Sequence, residues 1–204
     1  MASGCHFVMD KTSIQGSGKS ATRVVDMTGF SKIEANGAFD VEIRQGAKSE
    51  LKVVGDDNLV KLVKFQNQDG VLTAGIDGNY SSKTGLKIIA VMPKVEGLTI
   101  NGSGNGWLND VQSDKLEMEI NGSGEMKANG KVDDLAVQIN GSGDIDASAV
   151  ESKSASASIS GSGSIRVNAT SSLSAAVSGS GEVRYKGSPT VSKSVDGSGE
   201  VEPM

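Results

Sequence analysis

The chain has little of what most catalytic and metal-binding sites are made from. Its 204 residues hold one Cys, one His and one Trp, and aromatics make up only 3%. A single Cys cannot close an internal disulfide or supply a Cys-rich zinc site. A single His excludes a His₂ or His₃ metal centre and weighs against a histidine-based triad. Basic residues are in deficit, 20 Lys+Arg against 25 Asp+Glu, for a net charge of −5. A dedicated nucleic-acid binder would instead carry a basic stripe. No apolar run approaches the 18 or more residues of a transmembrane helix. What is abundant is glycine, 27 residues, without the Gly-X-Y period of collagen. Hydrophobic residues, at 36%, are too many and too regularly placed for disorder.

The glycines form a repeat. Gly-Ser-Gly begins at Gly102, Gly122, Gly141, Gly161, Gly179 and Gly197, at spacings of 20, 19, 20, 18 and 18 residues. An aliphatic residue and one small polar residue precede each triplet, as in Ile100-Asn101, Ile120-Asn121, Ile139-Asn140 and Ile159-Ser160. Before these pairs, apolar or small residues alternate with polar ones (Leu116, Met118, Ile120; Leu135, Val137, Ile139), and the alternation restarts after the triplet (Ile145, Ala147; Ile165, Val167). Period 2 marks a strand with one buried face. Each unit therefore reads as strand, Gly-Ser-Gly corner, strand and a looser polar turn such as Asn129-Gly130-Lys131. No unit can bury its apolar face alone, so units must stack. Same-direction stacking gives an all-β parallel β-helix with files of identical side chains along its axis, Asn101, Asn121 and Asn140 among them. Right-handed crossovers are the default expectation. The last unit is atypical. Lys193 takes an inward position, as Ala157 and Ala175 do in earlier units, and Pro203 follows; both suit an open end that resists aggregation.

The expected organisation is an N-terminal tail over 1–19 and one β-helix domain over 20–204, with irregular strands over 20–97 and the repeats over 98–204. Within the irregular half, strands are expected around Val24–Met27, Lys32–Asn36, Phe39–Arg44, Leu51–Val54, Val71–Ile76 and Leu86–Met92. A helical turn is expected to start at Asp57 or Asn58, and Gly78–Gly85 reads as a polar, mobile loop. Met1-Ala2-Ser3-Gly4-Cys5 matches the end of a bacterial lipoprotein signal peptide without its apolar region, which makes Cys5 a candidate lipidation site.

Four motifs were weighed. Gly16-Ser17-Gly18-Lys19-Ser20 resembles the end of a phosphate-binding loop, but Ser13 stands where that motif needs its first Gly. A degenerate corner or a tail is the better reading. Gly141-Ser142-Gly143-Asp144-Ile145-Asp146 resembles a calcium-binding β-roll repeat, yet Lys127, Arg166 and Arg184 replace Asp146 in the other copies, and cations cannot ligate calcium. The acidic pairs Asp56-Asp57 and Asp133-Asp134 read as solvated turn residues. Trp107 falls in an outward register with Lys127, Asp146 and Arg166. It is the one candidate ligand contact, able to stack on a sugar or a partner if it is not covered by the N-terminal half or by the Gly78–Gly85 loop. No catalytic, cofactor or metal residue is assigned.

The Ile-Asn-Gly-Ser-Gly runs, with "GFSKIEANGAFDVEIRQG" (29–46) and "LKVVGDDNLV" (51–60) before them, resemble the putative auto-transporter adhesin head domain family called GIN, common in Bacteroidetes. The resemblance covers about residues 20–204. It implies a pectin-lyase-like β-helix with the triplets at tight corners between two sheets, no recognised catalytic set, and an envelope or surface location. The role proposed for that family is adhesion, by analogy with trimeric autotransporter adhesins. The expected function is thus a non-enzymatic adhesion or recognition module. Its expected partner is a glycan or protein on a host or neighbouring cell, with a trimer as the oligomer to test. It would need no cofactor and bind no nucleic acid, and would reach a membrane only through a lipid on Cys5. The alternatives are a polysaccharide-acting β-helix enzyme using outer-face carboxylates and Trp107, or a purely structural oligomerising module.

Overall fold

The computed structural model describes residues 13–204. The first part of the chain forms β1 (Ile14–Gln15), β2 (Ser20–Val24), β3 (Lys32–Asn36), β4 (Asp40–Gln45), β5 (Glu50–Asp56), β6 (Lys64–Gln68), β7 (Val71–Gly75), β8 (Tyr80–Ser81) and β9 (Lys87–Met92). The repeats form β10 (Gly97–Gly102), β11 (Gly106–Gly122), β12 (Glu125–Gly141), β13 (Asp144–Gly161), β14 (Ser164–Gly179), β15 (Glu182–Lys186), β16 (Thr190–Gly197) and β17 (Glu200–Pro203). Among the described residues no helix is long and apolar enough to cross a membrane.

The architecture is a parallel β-solenoid. Strands β11 to β14 each run from one triplet to the next, bending midway, and pair with their neighbours in parallel register. Ile100, Ile120, Ile139, Ile159, Val177 and Val195 form one inward file; all but Val195 are at most 2% exposed. Burying one such side chain contributes about 1.5–3 kcal/mol. The polar residue that follows stays in register too. Asn140 donates to Asn121 Oδ1 at 2.7 Å, Asn121 to Asn101 Oδ1 at 2.8 Å, and Asn101 to Asn36 Oδ1 at 2.7 Å. The triplets are the tightest contacts in the stack. A Cβ on Gly141 would lie 2.3 Å from the Gly122 oxygen, so the layers approach closely only because no side chain is there.

The N-terminal half is more regular than its sequence suggests. Strands β3 and β4 make a full coil whose corner is Gly37-Ala38-Phe39. Asn36 pairs with Asn101, and the Gly37 amide donates to the Asn101 carbonyl at 2.9 Å. The layers are not stacked in chain order. β7 and β9, which follow β3 and β4 in sequence, lie on their outer side, so the coil over 32–45 is sandwiched between 71–92 and the first repeat. Beyond them the stack is closed by antiparallel strands: β6 on β7, β5 on β9 and β2 on β5. This cap satisfies the ladder that a bare parallel edge would expose.

Several local expectations change. The strand expected around Val24–Met27 lies earlier, as β2 over Ser20–Val24. The helical turn expected at Asp57 or Asn58 is present as hydrogen-bonded turns over 57–62, with Val60 N–H donating to Asp56 O at 2.9 Å, and does not extend into a helix. β6 (Lys-Phe-Gln-Asn-Gln) was not foreseen, because only Phe65 marks its inner face. The loop read as mobile is tied down. β8 pairs with β1, and Ser82, Lys83 and Thr84 all donate to the Asp56 carboxylate. At the other end of the stack, among the described residues, no strand covers β16. Lys193 holds the inward position opposite Ala175 but is exposed, and Val195 is 42% exposed.

Candidate functional site

A solenoid displays whatever its strands point outward, so the candidate surfaces are its two outer sheet faces and the cap. The face that follows the corners carries Trp107. In β11, Gly106 and Leu108 point into the core, which leaves Trp107 outward and half-buried. Its file runs Glu42, Trp107, Lys127, Asp146, Arg166, Arg184, Glu202, as the sequence register had placed it. The indole is partly covered from the N-terminal half. Lys87 reaches over it from two layers away, with Nζ 5.5 Å from the ring centroid, while bonding Glu42 at 2.6 Å. Along the strand Trp107 is flanked by Asn105 and Asn109. Asn105 donates to Asp40 Oδ1 through its amide at 3.0 Å and its side chain at 3.1 Å. Asn109 accepts from Asn129 Nδ2 at 3.1 Å.

Further along this file the charges pair with one another. Glu182, Glu200 and Glu202 bring carboxylate oxygens within 4.8 Å, but Arg184 lies among them, 2.5 Å from Glu182 and 3.0 Å from Glu202. That cation occupies the centre of the cluster and holds its own pKa above the ordinary value through Glu182. Mixed signs in this file were legible in the sequence.

The face that precedes the corners changes character along the axis. Near the cap it is ionic. Lys115 and Lys32 (2.5 Å) both bond Glu117 and hold its carboxyl below the ordinary value. Towards the C-terminal end it becomes uncharged. One file reads Ala136, Ser156, Ser174, Ser192 and the next Gln138, Ser158, Ala176, Ser194. A shallow groove of about 480 Å³ runs across this region, lined by Asp134, Ser154, Ser156, Ser174, Thr190 and Ser192 among others.

Asp56 is where the sequence reading fails. It is fully buried rather than solvated, unlike Asp133 and Asp134, which are partly and fully exposed. Its carboxylate accepts from Ser82 Oγ at 2.6 Å, Gly18 N–H at 2.6 Å, Lys83 N–H at 2.9 Å and Thr84 N–H at 3.3 Å. The Ser82 bond, with the backbone donors, holds its pKa far below the usual carboxylate range against the cost of burial. The phosphate-loop lookalike ends here. The Gly18 amide is used by Asp56 and the Ser17 amide by Asn58 Oδ1, so those N–H groups face the protein's own oxygens. Gly16 is required because a Cβ would lie 2.5 Å from Asp56 Oδ2. Cys5, the candidate lipidation site, lies outside the described residues.

Several solved structures share this architecture. The crystal structure of a putative adhesin from Bacteroides fragilis is 28% identical, covers 94% of this chain and 100% of its own, and superposes with a TM-score of 0.73. A putative adhesin from Parabacteroides distasonis is 24% identical, with 94% and 100% coverage and a TM-score of 0.60. A putative lipid binding protein from the same species is also 24% identical, with 94% and 99% coverage and a TM-score of 0.58. Among curated proteins, none is significantly similar in sequence. The sequence model for "putative auto-transporter adhesin, head GIN domain" matches residues 29–189, which takes in the coil over 32–45, the cap strands β5 and β6 and five of the six triplets, and the chain therefore belongs to that family.

Proposed function

We propose that this protein is a non-enzymatic recognition module of the cell envelope, with adhesion to a host or neighbouring cell as its role. The observation that carries this reading is the register. From Ile100 to Val195 the same file is kept through every layer, so outward side chains stand in fixed ranks about 4.8 Å apart. A surface already held in one arrangement loses little conformational entropy on binding. Family membership and the likeness to a putative adhesin from Bacteroides fragilis support the same role. The carboxylate cluster at Glu182, Glu200 and Glu202 gives no support to a hydrolase, because Arg184 fills it. A surface location would follow from a lipid on Cys5, and a trimer would multiply weak contacts into useful avidity.

The test is binding of the purified chain to arrays of glycans and extracellular-matrix proteins, and adhesion of beads coated with it to cells. Saturable binding to one ligand class is expected. No binding across both arrays at millimolar sensitivity, or release of reducing sugar from a polysaccharide panel, would overturn the reading. Mass spectrometry of the protein made in a bacterium with its full gene should show a diacylglyceryl adduct on Cys5, and native mass spectrometry should show the trimer.

A further inference from the structure

We infer that Trp107 is the centre of a saccharide-binding platform, and that its ligand is an uncharged pyranose of a glycan chain. The inference rests on the recognition reading above and names its ligand class and residues. Trp107 is the chain's single Trp, and it stands outward where a soluble face would carry a charge. The layers on either side hold Glu42 and Lys127 at that position, with Asp146 and Arg166 further above and Ile89 two layers below. The indole is half-buried, with Lys87 over its ring, and the surface it keeps outward is a flat apolar face that a ligand can stack on.

The surroundings define the occupant. Below Trp107 lie Asp40, Glu42 and Arg44, and above it Glu125, Lys127 and Asn129. Asn105 and Asn109 complete the ring within its own strand. With a layer spacing of about 4.8 Å and about 6.6 Å between same-face residues of one strand, the ring spans roughly 10 by 13 Å, enough for one sugar on the indole and a second beside it. Carboxylates and cations alternate around it, most of them paired: Arg44 lies 3.9 Å from Asp110, and Asp40 accepts from Asn105. Glu42 bonds Lys87 at 2.6 Å, and Glu125 bonds Lys127 at 2.8 Å. A charged ligand would meet like charge whichever its sign. A sugar hydroxyl, which both donates and accepts, fits a ring offering ammonium and amide donors beside carboxylate and amide acceptors. The apolar C–H face of a pyranose fits the indole. Lys87 lies over the ring on a flexible stem from another coil, so it can swing aside or close on the bound sugar.

Because no other Trp is present, the emission of Trp107 reports binding directly. The probes are uncharged tetrasaccharides of glucose, mannose, galactose and N-acetylglucosamine, titrated into the full chain. At least one should shift the emission saturably. Trp107→Ala should weaken that sugar about tenfold or more, as expected for a central aromatic anchor, measured by calorimetry because the fluorophore is gone. Trp107→Phe should keep part of the affinity. Lys127→Asp, at an exposed site, should weaken it several-fold while leaving the circular dichroism unchanged. A sulfated version of the same sugar should bind more weakly. Glycan binding undiminished in Trp107→Ala and Lys127→Asp would overturn the platform while leaving the recognition role standing. So would binding confined to protein ligands. Loss of all binding and all cell adhesion in the wild type would remove both.

Discussion

Substituting Gly141 by alanine separates what the corner itself demands from what the neighbouring layer demands. Gly141 has φ +136, and an added Cβ would sit 2.3 Å from the Gly122 oxygen and 3.1 Å from its carbonyl carbon. The backbone cost of an L side chain at positive φ is about 1–2 kcal/mol. The contact adds to it. The oxygen in the way also accepts the Ser142 amide at 2.9 Å, so any shift that relieves the clash weakens a bond with a net value of about 1 kcal/mol. Forcing extra volume into a packed contact typically costs a further 1–3 kcal/mol or so. Gly141→Ala should therefore destabilise by about 3–6 kcal/mol. Gly78→Ala is the control. Gly78 also has positive φ, +88, but nothing lies within 4 Å of its would-be Cβ, so only the backbone cost of about 1–2 kcal/mol applies. Urea unfolding followed by far-UV circular dichroism, with both midpoints read at a common slope, gives the difference. Equal losses in the two variants would refute the idea that layer-to-layer contact fixes the triplets.

Asp56→Asn should free the segments that Asp56 pins, seen as amide exchange at Gly18, Lys83 and Thr84 at least about tenfold faster while the Ile139 amide is unchanged. The native carboxyl is depressed, so its contribution is complete above the ordinary value of 3.8 and is lost as pH falls below it; between pH 4 and pH 2 the wild type should therefore lose more stability than Asp56→Asn does. Asn121→Asp replaces the Nδ2 donor to Asn101 Oδ1 with an anionic oxygen, and its melting temperature should fall further as pH rises from 3 to 6. Ile139→Ala, at a fully buried position, should cost about 2–5 kcal/mol in chemical denaturation. Lys193→Val would complete an apolar row with Val191 and Val195 on the last coil, and light scattering should show concentration-dependent end-to-end association beyond the wild-type assembly.

Much of the solenoid could be read from periodicity, because repetition makes the pattern redundant. An error at one unit is corrected by five others, and a period of 2 between glycine corners admits few folds. The strands Lys32–Asn36 and Lys87–Met92 were legible for the same local reason. β6 was not, since a cap strand has one apolar side chain to show. The position of Trp107 was legible as a register, but Lys87 above it was not, because the two residues come from coils that the sequence does not mark as near neighbours. Asp56 misled for a similar reason. An aspartate beside a glycine is ordinarily a solvated turn residue, and only the segments around Gly18 and Ser82–Thr84, which fold over it, make it a buried acceptor.

The amino-acid order by itself determined the parallel coil, the inward and outward files and the glycine corners, because these follow from local alternation and from steric limits that act at every layer. Tertiary structure alone decided that the coil over 71–92 lies outside the coil over 32–45, that antiparallel strands close one end, and that a cation rests on the one outward indole. Those outcomes depend on which distant segments compete for the same sheet edge, a choice made by total burial and hydrogen-bond satisfaction rather than by any residue's immediate neighbours.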